Sequence, residues 1–194
     1  TPTGTVSYAT EGLGGRSLVL NGTNSNVRSE VDIKKGAFTI SLWFNATDVT
    51  TLRRIVEHSW SSSAPKESGV FSISVENGGV VKAVLALEDD TQVSFVSEGT
   101  VTANTWHHLA LTADGTGAKL YLDGAIAATQ AIAKPLKKVK KSLIIGGSPP
   151  AVFNGMIDAV KLYNVMLTPI QIGEKYYKER QKLVKITAQE GNRA

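Results

Sequence analysis

The sequence predicts an all-β, two-sheet antiparallel jelly-roll sandwich with a short C-terminal helix. Three observations predict it. Short runs alternate apolar and polar residues at a period of two. Asn-Gly and Asp-Gly pairs separate several of these runs. Helical periodicity is nearly absent before Thr168. The 194 residues, 42% hydrophobic and 20% charged, have ordinary globular composition and suffice for one sizeable core.

The elements follow in order. Residues 4–10 (GTVSYAT) read as an N-terminal strand. Residues 16–22 (RSLVLNG) are a short apolar run stopped by Asn21-Gly22. In 37–46 (AFTISLWFNA), Phe38, Ile40, Leu42 and Phe44 share one face, the pattern of a half-buried strand. RRIVEHSW (53–60) follows. Residues 69–87 form a hairpin in which Phe71, Ile73 and Val75 alternate with Val70, Ser72 and Ser74, and Asn77-Gly78-Gly79 turns the chain. Residues 91–99 and 105–113 are the next strands. A second hairpin, 118–129, turns at Asp123-Gly124, a pair that tolerates the positive φ of a type I′ turn. Residues 141–147 and 155–165 complete the strands. Thr168-Pro169-Ile170-Gln171 then offers an N-cap, a proline at the first helical position and a capping-box glutamine. The expected division is a sandwich over 1–172, then a helix and polar tail or linker over 173–194.

Composition excludes several classes. There is no cysteine, so disulfides, thiolate metal sites and cysteine nucleophiles are out. No apolar run approaches the length needed to span a bilayer, so membrane insertion is not expected. The net charge of +4 is too small to imply nucleic acid by itself. The chain starts at Thr1 without a signal-peptide pattern, which reads as a mature or excised piece of a longer protein.

Five segments, RSLVLNGTNSNVR, AFTISLWFNA, TWHHLALTADGTGAKLYLDGAIAAT, SLIIGG and FNGMIDAVKLYNVMLTPIQI, occur in an order that resembles the laminin G-like domain of the concanavalin A-like lectin/glucanase superfamily. The version resembled is that of secreted bacterial multidomain proteins, and the likeness runs from about Gly15 to Ile172. It implies the jelly roll and an extracellular, secreted or cell-surface location. It leaves function open among lectins, adhesion modules and enzymes.

Candidate residues are weighed against plain structural roles. His107 and His108 point to opposite faces of one strand, so they cannot ligate one metal together. By the resemblance Trp43, Trp106 and His108 match fold positions; Trp43 and Trp106 are expected in the core, and one of the two histidines is expected to be buried and hydrogen-bonded. Asp114 and Asp123 precede turns. No strand carries carboxylates at i and i+2 facing a cleft, as glycosidases of this superfamily do. Glu88, Asp89 and Asp90 sit at a hairpin end, Glu76 is alone, and Glu57 neighbours His58 on opposite faces.

The resemblance implies a structural calcium, for which Asn21, Gly22 and Asp158 are the matching positions. Asn21 stands where aspartate is frequent, removing one charge from a site that wants hard oxygen ligands. The alternative is a plain turn and a hydrogen-bonded strand residue. Glycan recognition needs exposed rings beside polar groups, and Trp60 with His58, Phe153 and Asn154 is the expected set. Its alternative is a tryptophan that caps the sandwich. Lys134, Lys137, Lys138, Lys140 and Lys141 form a patch suited to an anionic polysaccharide, or else a solvated strand edge.

The leading expectation is a non-catalytic extracellular carbohydrate-recognition module of a larger protein. The second is a structural or adhesion module that binds protein or neighbouring domains. The third is a glycoside hydrolase or polysaccharide lyase domain.

Overall fold

A computed structural model describes residues 1–33, 36–59 and 67–191, with side chains up to Leu183. Two seven-stranded antiparallel sheets face each other. The first joins β1 (Pro2–Thr3), β4 (Asn26–Ile33), β13 (Val139–Ile145), β6 (Arg53–His58), β7 (Phe71–Val75), β8 (Val80–Ala86) and β9 (Gln92–Thr100), in that spatial order. The second joins β12 (Ala125–Ala131), β11 (Gly117–Leu122), β10 (Trp106–Ala113), β5 (Phe38–Ala46), β14 (Asn154–Tyr163), β3 (Ser17–Asn21) and β2 (Ser7–Ala9). Helix α1 runs from Pro169 to Gly191.

Alternation decides which faces meet. Phe38, Ile40, Leu42 and Phe44 of β5 and Leu109 and Leu111 of β10 face Phe71, Ile73 and Val75 of β7 across one continuous core. Phe38 stacks on Phe71 with ring centroids 4.9 Å apart, which locks the sheets face to face. The turns obey their chemistry. Asp123 and Gly124 both have positive φ, 49° and 81°, as a type I′ hairpin requires. The strand β4 was not anticipated. Its run NVRSEVDI carries Arg28, Ser29, Glu30 and Asp32, and it is held mainly by seven register pairs to β13. Tertiary pairing there overrides a weak local pattern.

The helix begins where its capping signal stands. The Thr168 N–H donates to Gln171 Oε1 at 2.9 Å and the Gln171 N–H to Thr168 Oγ1 at 3.3 Å. Ile172, Tyr176, Glu179 and Leu183 recur at spacings of four and three, so they line one face. Ile172 packs with Leu167, Ala110, Tyr121 and Tyr163 on the outer surface of the second sheet. Through Tyr176 and Glu179 the helix thus lies against the sandwich itself. No described helix is long and apolar enough to cross a membrane.

Candidate functional site

Three local features converge at one end of the second sheet. The first is the start of β10. Trp106 and His108 lie on the outer face, opposite Asn45 and Trp43 of β5, while His107 points inward toward Phe44. The second is the 122–125 turn. Asp123 Oδ1 accepts the His108 N–H at 2.8 Å and Oδ2 meets His107 Nδ1 at 2.8 Å. The Thr102 N–H donates to His107 Nε2, so the ring proton sits on Nδ1 and is donated to Asp123. Burial pushes the Asp123 carboxyl up, but these donors outweigh it and hold its pKa below the usual value. The carboxylate is thereby fixed in place with acceptor capacity left over.

The third feature is the helix. Tyr176 stacks on Trp43 at 5.7 Å and 14°, and the Trp43 indole N–H donates to Glu179 Oε2 at 2.8 Å. Glu179 also pairs with Lys161 of β14. Gly124 allows this docking, because a Cβ there would lie 2.6 Å from the Tyr176 ring. His108 is sealed beneath, with Nε2 at 3.1 Å from Ser41 Oγ. Burial drives its pKa down to about 4, so it is neutral at physiological pH.

The result is a pocket of about 300 Å³ lined by Trp43, Trp106, His107, Asp123, Tyr176 and Arg180. The Arg180 guanidinium lies 5.9 Å from the centre of the Tyr176 ring. Aromatic faces, one fixed carboxylate and one guanidinium are the groups that recognise a polyhydroxylated ring: CH faces stack, hydroxyls donate to Asp123 and accept from Arg180. A second cavity, about 410 Å³, lies on the outer face of the first sheet along Arg54, Ser72, Ser74, Glu76, Lys82 and Gln92, and no aromatic residue lines it. Beside Arg54, the Glu57 carboxylate is buried, with Arg54 Nη1 at 3.5 Å. Burial raises its pKa.

The residues picked out from sequence fall elsewhere. His58 and Phe153 are fully buried and present no surface to a glycan. His58 is a core histidine: Nδ1 accepts the Val70 N–H at 3.1 Å and Nε2 faces the Lys141 carbonyl at 3.2 Å. Phe153 packs edge-on against Phe44. Asn154 opens β14 opposite Asn21. Trp60 lies outside the described residues. Trp106, expected in the core, is only half-buried and forms a wall of the pocket.

The calcium set does not assemble. Asn21 pairs with Asn154, four residues along β14 from Asp158, a separation of roughly 13 Å at strand rise. Asn21 Oδ1 already accepts from the N–H groups of Thr23, Asn24 and Ser25 and from Ser25 Oγ. The Gly22 carbonyl accepts from Arg53 Nη1 at 3.1 Å, a cationic neighbour no calcium ligand would keep. Asp158 is used by the Leu13 N–H at 2.7 Å and by the N–H of Ala159, whose φ is 51° in the β14 bulge. These residues do not fit the ion.

The lysine patch is largely matched by carboxylates. Lys134 pairs with Asp89, Lys137 with Asp90 at 2.6 Å and Lys140 with Glu30 at 2.9 Å. Lys138 is exposed and Lys141 half-buried. Asp89 and Asp90, read as a solvated turn, are partners in these pairs.

The fold is a two-sheet antiparallel β-sandwich. The Laminin_G_3 family, described as the concanavalin A-like lectin/glucanases superfamily, matches residues 21–173, and the chain belongs to it. Among solved structures, domain 4 of AbnA, a GH43 extracellular arabinanase from Geobacillus stearothermophilus in complex with arabinotriose, superposes with a TM-score of 0.67. It is 22% identical, over 88% of this chain and 81% of that one. The binding domain of Paraclostridial Mosquitocidal Protein 1 gives a TM-score of 0.71 at 14% identity, over 88% of this chain. The botulinum neurotoxin serotype G binding domain gives 0.70 at 12%, over 92%. The chain spans less than half of each toxin domain, 45% and 46%. At these identities the likeness is one of fold. A comparison with curated proteins found no match.

The pocket residues Trp106, Tyr176 and Arg180 were not singled out as a site in the sequence. The available signal was Tyr176 and Arg180 at i and i+4 on the stripe that also carries Ile172 and Glu179.

Proposed function

We propose that this chain is a non-catalytic carbohydrate-recognition module of a larger secreted or surface protein. The glycan enters the pocket between helix α1, the start of β10 and the 122–125 turn. The observation that carries this reading is the open aromatic pair Trp106 and Tyr176 beside the fixed Asp123 carboxylate and Arg180. A volume of about 300 Å³ holds one or two sugar rings. The arabinotriose held by the similar domain 4 of AbnA supports a sugar as ligand class.

The test is an array of neutral, uronic and sulfated polysaccharides probed with the wild-type chain and with Trp106→Ala. Wild-type binding that Trp106→Ala abolishes supports the pocket. Binding that survives the substitution places the site elsewhere, and no binding by the wild type removes the reading.

A second reading, a module docked to a neighbouring domain, rests on the outer side of the helix. Ile170 is 75% exposed and Tyr177 65% exposed, seven residues apart and so on one stripe. Amide exchange of residues 170–177 in a longer chain checks it: protection by the neighbour supports docking, and none refutes it.

A further inference from the structure

The Gly22 carbonyl meets a guanidinium rather than a metal, and the surroundings of that guanidinium extend the point. Arg53 opens β6. Its Nη1 donates to the carbonyls of Gly22, at 3.1 Å, and Val152, at 3.3 Å. Its Nη2 lies 3.7 Å from Asp48 Oδ2. Asp48 Oδ1 accepts the Thr50 N–H and hydroxyl.

Four chain segments therefore meet around one cation: the 21–25 loop, the 46–50 loop, the start of β6 and the approach to β14. They are also joined by backbone. The Gly22 N–H donates to the Phe153 carbonyl at 3.0 Å, the Thr47 N–H to Asn154 at 3.0 Å and the Arg54 N–H to Ala151 at 2.8 Å. Gly22, with φ of 72°, lies so close that a Cβ would sit 2.8 Å from Asn154 Cβ. Two backbone carbonyls and a carboxylate are oxygen donors of the kind a hard divalent ion selects. Here their negative ends converge on the guanidinium, whose fork of N–H groups can satisfy several acceptors at once.

We infer that Arg53 is a resident organic cation that ties the early loop to the closing strand, so that this domain folds without calcium. Calcium cannot join the cluster while the guanidinium is in place, because two cations would share the Gly22 and Val152 carbonyls.

Thermal unfolding tests this with the whole chain. The wild type is melted in millimolar calcium and in chelator, alongside Arg53→Met and Arg53→Lys. Expected are wild-type midpoints equal within about 1 °C and a fall of about 4 °C or more for Arg53→Met in either buffer. If Arg53→Met does not fold, Arg53→Lys carries the comparison. One ammonium cannot span both carbonyls and Asp48, so it melts at least about 2 °C below wild type. A wild-type midpoint raised several degrees by calcium overturns the inference. So does an Arg53→Met that melts with the wild type, or an Arg53→Lys that does.

Discussion

Glu179 is the point where helix α1 is fastened, and its removal has a magnitude that follows from its two partners. The Trp43 indole N–H, on a side chain that is 3% exposed, donates to one carboxylate oxygen at 2.8 Å. Leaving such a donor buried and unpaired costs about 1–3 kcal/mol. The other oxygen pairs with Lys161, whose side chain is 42% exposed and can return to water, so that pair contributes only about 0.2–1 kcal/mol. Glu179→Ala therefore loses about 1–4 kcal/mol. Glu179→Gln keeps an oxygen for the indole and loses about 1 kcal/mol. For a chain of this size that is a drop in Tm of about 2–16 °C for alanine and 2–4 °C for glutamine. Fluorescence-detected melting reads both, and hydrogen exchange of residues 172–183 reads the helix alone. If Glu179→Ala melts within about 1 °C of wild type with unchanged helix exchange, the fastening argument is wrong. Equal losses for the two variants would assign the effect to charge rather than to the indole hydrogen bond.

Other predictions follow from the same geometry. Trp106→Ala weakens glycan binding about ten-fold or more through lost ring stacking, measured by titration against the best array hit, with an unchanged Kd refuting the pocket. His108, whose pKa falls to about 4 in the folded chain from an ordinary 6.5, binds fewer protons folded than unfolded. Its contribution is complete above pH 6.5 and is lost as pH falls toward 4, about 3 kcal/mol in all. Urea unfolding at pH 7 and pH 4.5 should show this loss shrinking in His108→Gln, and an identical pH response in the variant would sink the assignment. Gly155, with φ of 141°, would place a Cβ 2.1 Å from the Asn45 carbonyl oxygen. Gly155→Ala should cost more than about 2 kcal/mol by prying β14 from β5, and a loss under about 0.5 kcal/mol in the same denaturation assay would contradict that close approach.

Local pattern made most strands of the sandwich legible, β4 excepted. Alternation in 37–46 and 71–75 assigned the core faces, Asp123-Gly124 announced its turn, and Thr168 to Gln171 announced the helix start; each depends on neighbours a few residues apart. The site was less legible. His58 stands beside Glu57 and Ser59, and Phe153 follows Pro149-Pro150 in what reads as a loop, yet pairing of β6 with β7 and β13, and packing against Phe44, bury them. Trp106 looked like a core residue because it matches a fold position of the resembled family, yet it lies at the strand's end, where the outer face opens into the pocket. The five lysines of 134–141 read as a charged patch because their partners Asp89, Asp90 and Glu30 are distant in sequence.

The amino-acid sequence by itself determined the class of fold, the order of most strands, the turns and the capped helix, because periodicity, positive-φ residues and caps act over a few residues of chain. Tertiary structure alone decided that helix α1 lies over Trp43 and His108, that Trp106, Tyr176 and Asp123 line one pocket, and that Arg53 stands among the oxygens of three other segments. Those contacts join residues tens to more than a hundred positions apart, and their energy exists only once the two sheets have closed and excluded water from between them.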